Sequence, residues 1–218
     1  FYDEVPFAEA GDKLLFGAKV KNAADATVTP GKISVVSQRA QKAYIWPAGA
    51  SGDTEGFEIN GTDWVDYKVV MDVPTDSVWD QYRYLVVGLP NGTAAGTKVS
   101  LDLSTMFYGI EKAYDIKVTS ASTQVAAGSA LTVEADIVNQ LDMTYSGEMG
   151  DFEWIVMNSD KSSVVSGFTI QKGADGVAEV SVAADVPAGN YNVIAMSDTY
   201  DGFVKSLPIT VTEKTDEI

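Results

Sequence analysis

The chain has 218 residues, 45% of them hydrophobic and 21% charged, with 31 acidic against 15 basic side chains and a formal net charge of −16. That composition supports a buried core rather than a disordered tail, and its acidity sets the surface against nucleic acids and anionic membrane faces. With neither cysteine nor histidine, disulfides, Cys/His zinc sites and Ser-His-Asp or Cys-His catalysis are excluded.

The chain opens with FYDEVPF (1–7), a short strand-like run. AGDKLLFGAKVKN (10–22), KISVVSQ (32–38), GFEI (56–59), YKVVMDV (67–73), YRYLVVGL (82–89) and KVSLDLS (98–104) follow. All are short and rich in β-branched and aromatic residues, as strands are. Farther along come AYDIKV (113–118), LTVEADIVN (131–139), FEWIVMN (152–158), SVVSGFTI (163–170), VAEVSVAA (177–184), YNVIAMS (191–197) and LPITVT (207–212). Pro30-Gly31, Asn60-Gly61, Asn91-Gly92, Asp175-Gly176 and Asp201-Gly202 are turn formers between them. No helix-period pattern outlasts a turn or so.

The second series repeats the first. AGDKLLFGAKVKN (10–22) and AGSALTVEADIVN (127–139) share A-G-x-x-L-x-x-x-A-x-(V/I)-x-N. GFEI answers GFTI (167–170), each leads to an Asp-Val-Pro at 72–74 and 185–187, and YRYLVVG answers YNVIAMS. FYDEV (1–5) likewise resembles AYDIKV. The expectation is an all-β protein of two tandem immunoglobulin-like β-sandwich domains of about seven strands each. The copies span 1–113 and 114–213, with a charged tail at 214–218.

VPAGNYNVIAMS and VKSLPITVT resemble the last two strands of immunoglobulin-like repeats in bacterial and archaeal cell-surface and S-layer-type proteins. That resemblance implies an extracellular structural or interaction role: a surface-layer, adhesin-stalk or filament subunit whose partners are copies of itself or other surface proteins. GTDWVDYKVVMDVP with YRYLVVG also resembles the late strands of jelly-roll carbohydrate-binding modules. This alternative implies glycan on an aromatic patch of copy one, with copy two as spacer.

No apolar run approaches the roughly 18–20 residues that span a bilayer, and no signal peptide is visible. A start at Phe1 rather than Met is expected of a processed or excised segment. No pair of carboxylates is marked for glycoside hydrolysis and no phosphate loop is present, so the expectation is not an enzyme. The sequons at Asn60 and Asn91 are acceptors for N-glycosylation in an exported chain. Trp46, Trp64, Trp79, Tyr82 and Tyr84 crowd into copy one and are candidates for surface contact or sugar stacking. Phe1, Tyr2, Val5 and Phe7 could form an inter-subunit donor strand. Asp72, Asp76 and Asp80 are candidate Ca2+ ligands, as are Asp142, Glu148, Asp151 and Glu153 around a later loop. Calcium needs about six converging oxygens and neither set has an EF-hand pattern, so the expectation is no cofactor.

Counting back from Asp-Val-Pro pairs Trp64 with Val177, Tyr67 with Val180 and Val69 with Val182. Alternation along a strand then puts Val65, Tyr67, Val69 and Met71 on one apolar face. Tyr67 is expected in the core, and Trp64 on the polar side beside Asn60.

Overall fold

The structure is a computed structural model that describes residues 8–39, 44–45, 56–73, 75, 83–90 and 92–214. The chain divides into two compact units, Phe1–Glu111 and Lys112–Ile218. The described residues are all β and turn, and among them no helix is long and apolar enough to cross a membrane. Unit one contains β1 (Lys13–Asn22), β2 (Gly31–Arg39), β3 (Tyr44–Ile45), β4 (Phe57–Ile59), β5 (Val65–Asp72), β6 (Arg83–Gly88) and β7 (Val99–Ile110). Unit two contains β8 (Ala113–Ser120), β9 (Gln124–Ala126), β10 (Ala130–Asn139), β11 (Phe152–Asn158), β12 (Phe168–Lys172), β13 (Val177–Val182), β14 (Gly189–Ser197) and β15 (Val204–Thr212).

Unit two is an immunoglobulin-like sandwich by its strand order. One sheet runs β12-β13-β10-β8 and the other β11-β14-β15-β9, the two-sheet arrangement of constant-type immunoglobulin domains. β9 leaves the first sheet to pair in parallel with β15 (Val211 opposite Val125). Alternate residues meet in one core: Val133, Ala135 and Ile137 of β10 and Val180 of β13 from one sheet, with Trp154, Val193 and Ile209 from the other. Trp154 sits opposite Ala195 in the ladder, so the aromatic of this strand packs without the cysteine pair of antibody domains. The Tyr191 hydroxyl donates to the Pro187 carbonyl at 2.9 Å. This is a tyrosine corner, which ties the start of the penultimate strand to the loop before it.

Unit one packs β5-β1-β7 against a sheet centred on β2, which pairs with β3, β4 and β6. Leu14, Phe16, Ala18 and Val20 alternate inward from β1 and meet Ile33, Val35, Ile59, Met71 and Leu85. The turn that opens the shared motif folds alike in both units. Gly11 and Gly128 take positive φ, 91° and 84°, a region glycine enters without steric cost. Their amides donate to Val73 and Val182 carbonyls, both at 3.0 Å.

Those bonds correct the equivalence drawn from Asp-Val-Pro. Val73 donates to Asp12 O as Val182 donates to Ser129 O, both at 2.8 Å, so Val73 matches Val182 and not Val186. The ladders agree, since Leu14 faces Met71 where Leu131 faces Val180. Tyr67 is buried all the same, because the sequence pairing was displaced by four positions and an even slip keeps every face. The match of YRYLVVG with YNVIAMS fails differently. It equates Val86 with buried Ala195, yet Val86 is 40% exposed and Leu85 only 2%. A slip of one residue turns the strand over.

The larger departure is β7. The last strand of unit two lies beside β14, whereas β7 crosses to the opposite sheet and pairs antiparallel with β1 (Leu14 opposite Ile110). There it holds the edge that β8 holds beside β10 (Ile137 opposite Ile116). A bulge interrupts β7, where the register jumps from Gly17↔Phe107 to Lys19↔Asp102. The Lys19 amide instead donates to Thr105 Oγ1 at 2.9 Å, and Thr105 Oγ1 donates to Asp102 O at 2.9 Å. A side chain thus satisfies a backbone group that the ladder leaves behind.

Candidate functional site

The described part of the expected aromatic patch is the bend between β4 and β5. Its geometry starts from Asn22, the last residue of the shared motif and buried. Asn22 Nδ2 donates to Ile59 O at 2.7 Å and the Asn22 amide donates to Gly61 O at 3.0 Å. Oδ1 accepts from the Gly31 amide at 3.1 Å. Asn60 therefore stands exposed between two carbonyls pinned from below. In unit two, Asn139 is equally buried but turns its Oδ1 to the amides of Leu141 and Met143.

Trp64 closes the bend and is 42% exposed. The Lys21 ammonium lies 4.5 Å from the ring centroid, a cation–π contact worth about 0.5–1 kcal/mol at an exposed site. The same stripe continues along β1 and β5 as exposed ion pairs, Lys19–Asp66 at 3.0 Å and Lys13–Asp72 at 2.6 Å. An exposed flat ring with an ammonium against it, on a strand face that also carries the Asp66 carboxylate, has the chemistry to stack on a sugar and hydrogen-bond its hydroxyls. Tyr67, three residues on, does nothing of the kind. It is 3% exposed, stacks on Phe57 at 4.8 Å and meets Phe16 edge-on at 5.6 Å. Burial pushes its hydroxyl up to about 12, partly offset by a backbone hydrogen bond at Val35.

Trp46, Trp79, Tyr82, Asn91, Asp76, Asp80 and the segment holding Phe1, Tyr2, Val5 and Phe7 lie outside the described residues, and Tyr84 is described only as part of the β6 backbone. Asp72 is engaged by Lys13, Asp142 by Lys117 at 3.7 Å and Glu153 by Lys172. Among the described residues no group of three or more acidic side chains could hold a metal ion.

Two features went unread in the sequence. Lys21 covering Trp64 joins positions 43 residues apart, with no local signal. The cluster of Tyr145, Tyr200 and Phe203 joins two loops of unit two, with Tyr145 edge-on to Tyr200 at 6.2 Å and Phe203 stacked on Tyr200 at 5.5 Å. The Tyr200 hydroxyl donates to Glu148 O at 2.5 Å, and desolvation by burial, followed by the neighbouring Tyr145 and Glu148, raises its pKa.

No family model matches the chain, and no curated protein matches it in sequence. Solved structures do. FdeC, an adhesin of Escherichia coli, matches at 15% identity with TM-score 0.35, over 98% of this chain and 67% of that one. Domains 4–9 of the surface layer protein SbsC match at 9% identity with TM-score 0.36, over 99% of this chain and 31% of that one. The Yersinia pseudotuberculosis adhesin InvE matches at 16% identity with TM-score 0.33, over 94% of this chain and 55% of that one. The chain thus spans about a third to two thirds of these proteins. At such scores the likeness carries no argument about activity or partners. The immunoglobulin-like fold rests on the strand order above.

Proposed function

We propose that this chain is a non-enzymatic structural segment of an extracellular surface protein: part of a surface layer, an adhesin stalk or a filament subunit. The observation that carries the reading is the junction between the two sandwiches. β7 ends at Ile110 and β8 begins at Ala113, so only Glu111 and Lys112 connect them. The Glu111 amide donates to Lys13 O in unit one at 2.8 Å, and the Lys112 amide donates to Gln140 Oε1 in unit two at 2.9 Å. Two β units in tandem, joined by so short a connection, suit a load-bearing or spacing role, for which the acidic surface supplies solubility. Electron microscopy of the native material tests it: ordered arrays or filaments support the reading. Dispersed monomers, together with hydrolysis of any member of a polysaccharide panel, would reject it.

Trp64 supports a second reading, a carbohydrate-binding surface on unit one. Its exposed ring, the Lys21 ammonium and the Asn60 sequon motivate it, and affinity electrophoresis in a polysaccharide series tests it.

A further inference from the structure

The bend between β4 and β5 holds an asparagine and a tryptophan that the fold does not use. An Asn-Gly pair ordinarily serves a turn in one of two ways: its backbone takes positive φ, or its carboxamide hydrogen-bonds the nearby main chain. Asn60 and Gly61 do neither. Both lie outside the set of residues with positive φ, and among the described residues no hydrogen bond engages the Asn60 side chain. The bend is tied down from below instead, where Asn22 holds the carbonyls of Ile59 and Gly61.

Trp64 is equally idle. It lies outside the core of unit one and stays 42% exposed even with the Lys21 ammonium over its ring. In unit two, β13 lies beside β10 as β5 lies beside β1. The turn that leads into β13 is Gly173-Ala174-Asp175-Gly176, which manages with no sequon and no aromatic residue.

We propose that Asn60 is an N-glycosylation site and that Trp64, with Lys21, is the surface on which the first sugars of that glycan lie. The inference rests on the extracellular reading above, since such an acceptor is modified on export. It differs from the carbohydrate-binding reading in making the sugar the chain's own. The acceptor is complete and accessible. Asn60, Gly61 and Thr62 are all exposed, and among the described residues no hydrogen bond occupies the Thr62 hydroxyl, the group that completes the sequon. In the transfer, the Asn60 amide nitrogen bonds the anomeric carbon of an oligosaccharide held on a lipid phosphate carrier. The bond from that carbon to the carrier's phosphate oxygen breaks, the carrier departs with the electron pair, and the amide nitrogen gives up one proton.

The ring is placed to meet the product. Trp64 follows Asn60 by four residues, so their Cα atoms are at most about 14 Å apart. A pyranose has a C–H face that packs on an indole and hydroxyls that accept from an ammonium, and Trp64 with Lys21 offers both partners. The pinned carbonyls on either side of Asn60 restrict the directions in which a glycan leaves, which lowers the entropy lost when it settles on the ring.

Intact glycopeptide mass spectrometry of the protein isolated from its own cells tests the site, and proton NMR of the same material tests the contact. The expected results are sugar mass on the peptide holding Asn60, and protons of the first sugars shifted upfield by the indole. Expressed in the same cells, Thr62→Val should lose this glycan, and Thr62→Ser, which keeps the sequon, should retain it. The Thr62→Val spectrum also identifies which sugar signals belong to Asn60. Trp64→Leu should retain the glycan and lose the upfield shift. An unmodified Asn60, a glycan on Asn60 that survives Thr62→Val, or sugar shifts unchanged by Trp64→Leu overturns the proposal. Native arrays or filaments with Asn60 unmodified would leave the structural role standing and remove only this site.

Discussion

Asn22 Oδ1 stands 3.1 Å from the Gly31 amide and would stand 2.2 Å from a Cβ at that position. The polar anchor of the Asn60 bend and the glycine at the head of β2 are therefore one feature, in which any side chain at residue 31 evicts the asparagine. Gly31→Ala and Asn22→Ala should each destabilise unit one by about 1–3 kcal/mol, the cost of leaving buried backbone groups unsatisfied. The double variant should cost less than the sum, because both changes break one contact. Urea unfolding of the four chains checks this, and an additive double variant would contradict it.

Tyr67 makes unit one sensitive to alkali. Its folded pKa of about 12 lies above the ordinary tyrosine value of 10.0, so the stability it contributes is complete below pH 10. As pH rises from 10 to 12 the unfolded chain ionises first, and unit one loses about 1.4 kcal/mol per pH unit from this residue. Tyr67→Phe should flatten that part of the pH profile. Thermal unfolding between pH 9 and 12 reads it, and an unchanged slope in the variant would disprove it.

Tyr191→Phe deletes one hydroxyl and with it the bond to Pro187 O. The expected loss is about 1 kcal/mol or somewhat more, confined to unit two. Trp154 is the single tryptophan of that unit, so in a background with Trp46, Trp64 and Trp79 replaced by phenylalanine its fluorescence during denaturation isolates the transition. An unshifted midpoint would mean that the corner contributes no stability.

Trp64→Ala should barely move the stability of unit one, by about 1 kcal/mol at most, since an exposed ring and one cation–π contact are lost. If the carbohydrate reading holds, the same variant loses retention in every polysaccharide gel that retards the parent chain. A panel that retards neither protein removes that reading.

How much of this was legible in the sequence varies element by element. β1 and β10 could be read because glycine, leucine, alanine and asparagine recur at fixed places, each with a physical duty: positive φ, core packing, and burial of a bonded amide. The phase of β5 survived a wrong alignment because Asp-Val-Pro misplaced it by an even step. The phase of β6 did not, because YRYLVVG and YNVIAMS differ by an odd one. The route of β7 could not be read, since VSLDLS and GI would suit either sheet and an edge is chosen by what else competes for it. The Lys21–Trp64 contact depends on β1 and β5 being neighbours in register, which no local pattern states.

The parallel pair of β9 and β15 bears on how unit two takes force. These are near its first and last strands, so tension applied through the two ends of the unit pulls them in opposite directions along their common axis. Their three register pairs, Thr210–Gln124, Val211–Val125 and Thr212–Ala126, are then loaded together in shear rather than opened one after another like a hairpin peeled from its end. Under tension unit two behaves as a latch: it holds its length until the whole ladder yields at once.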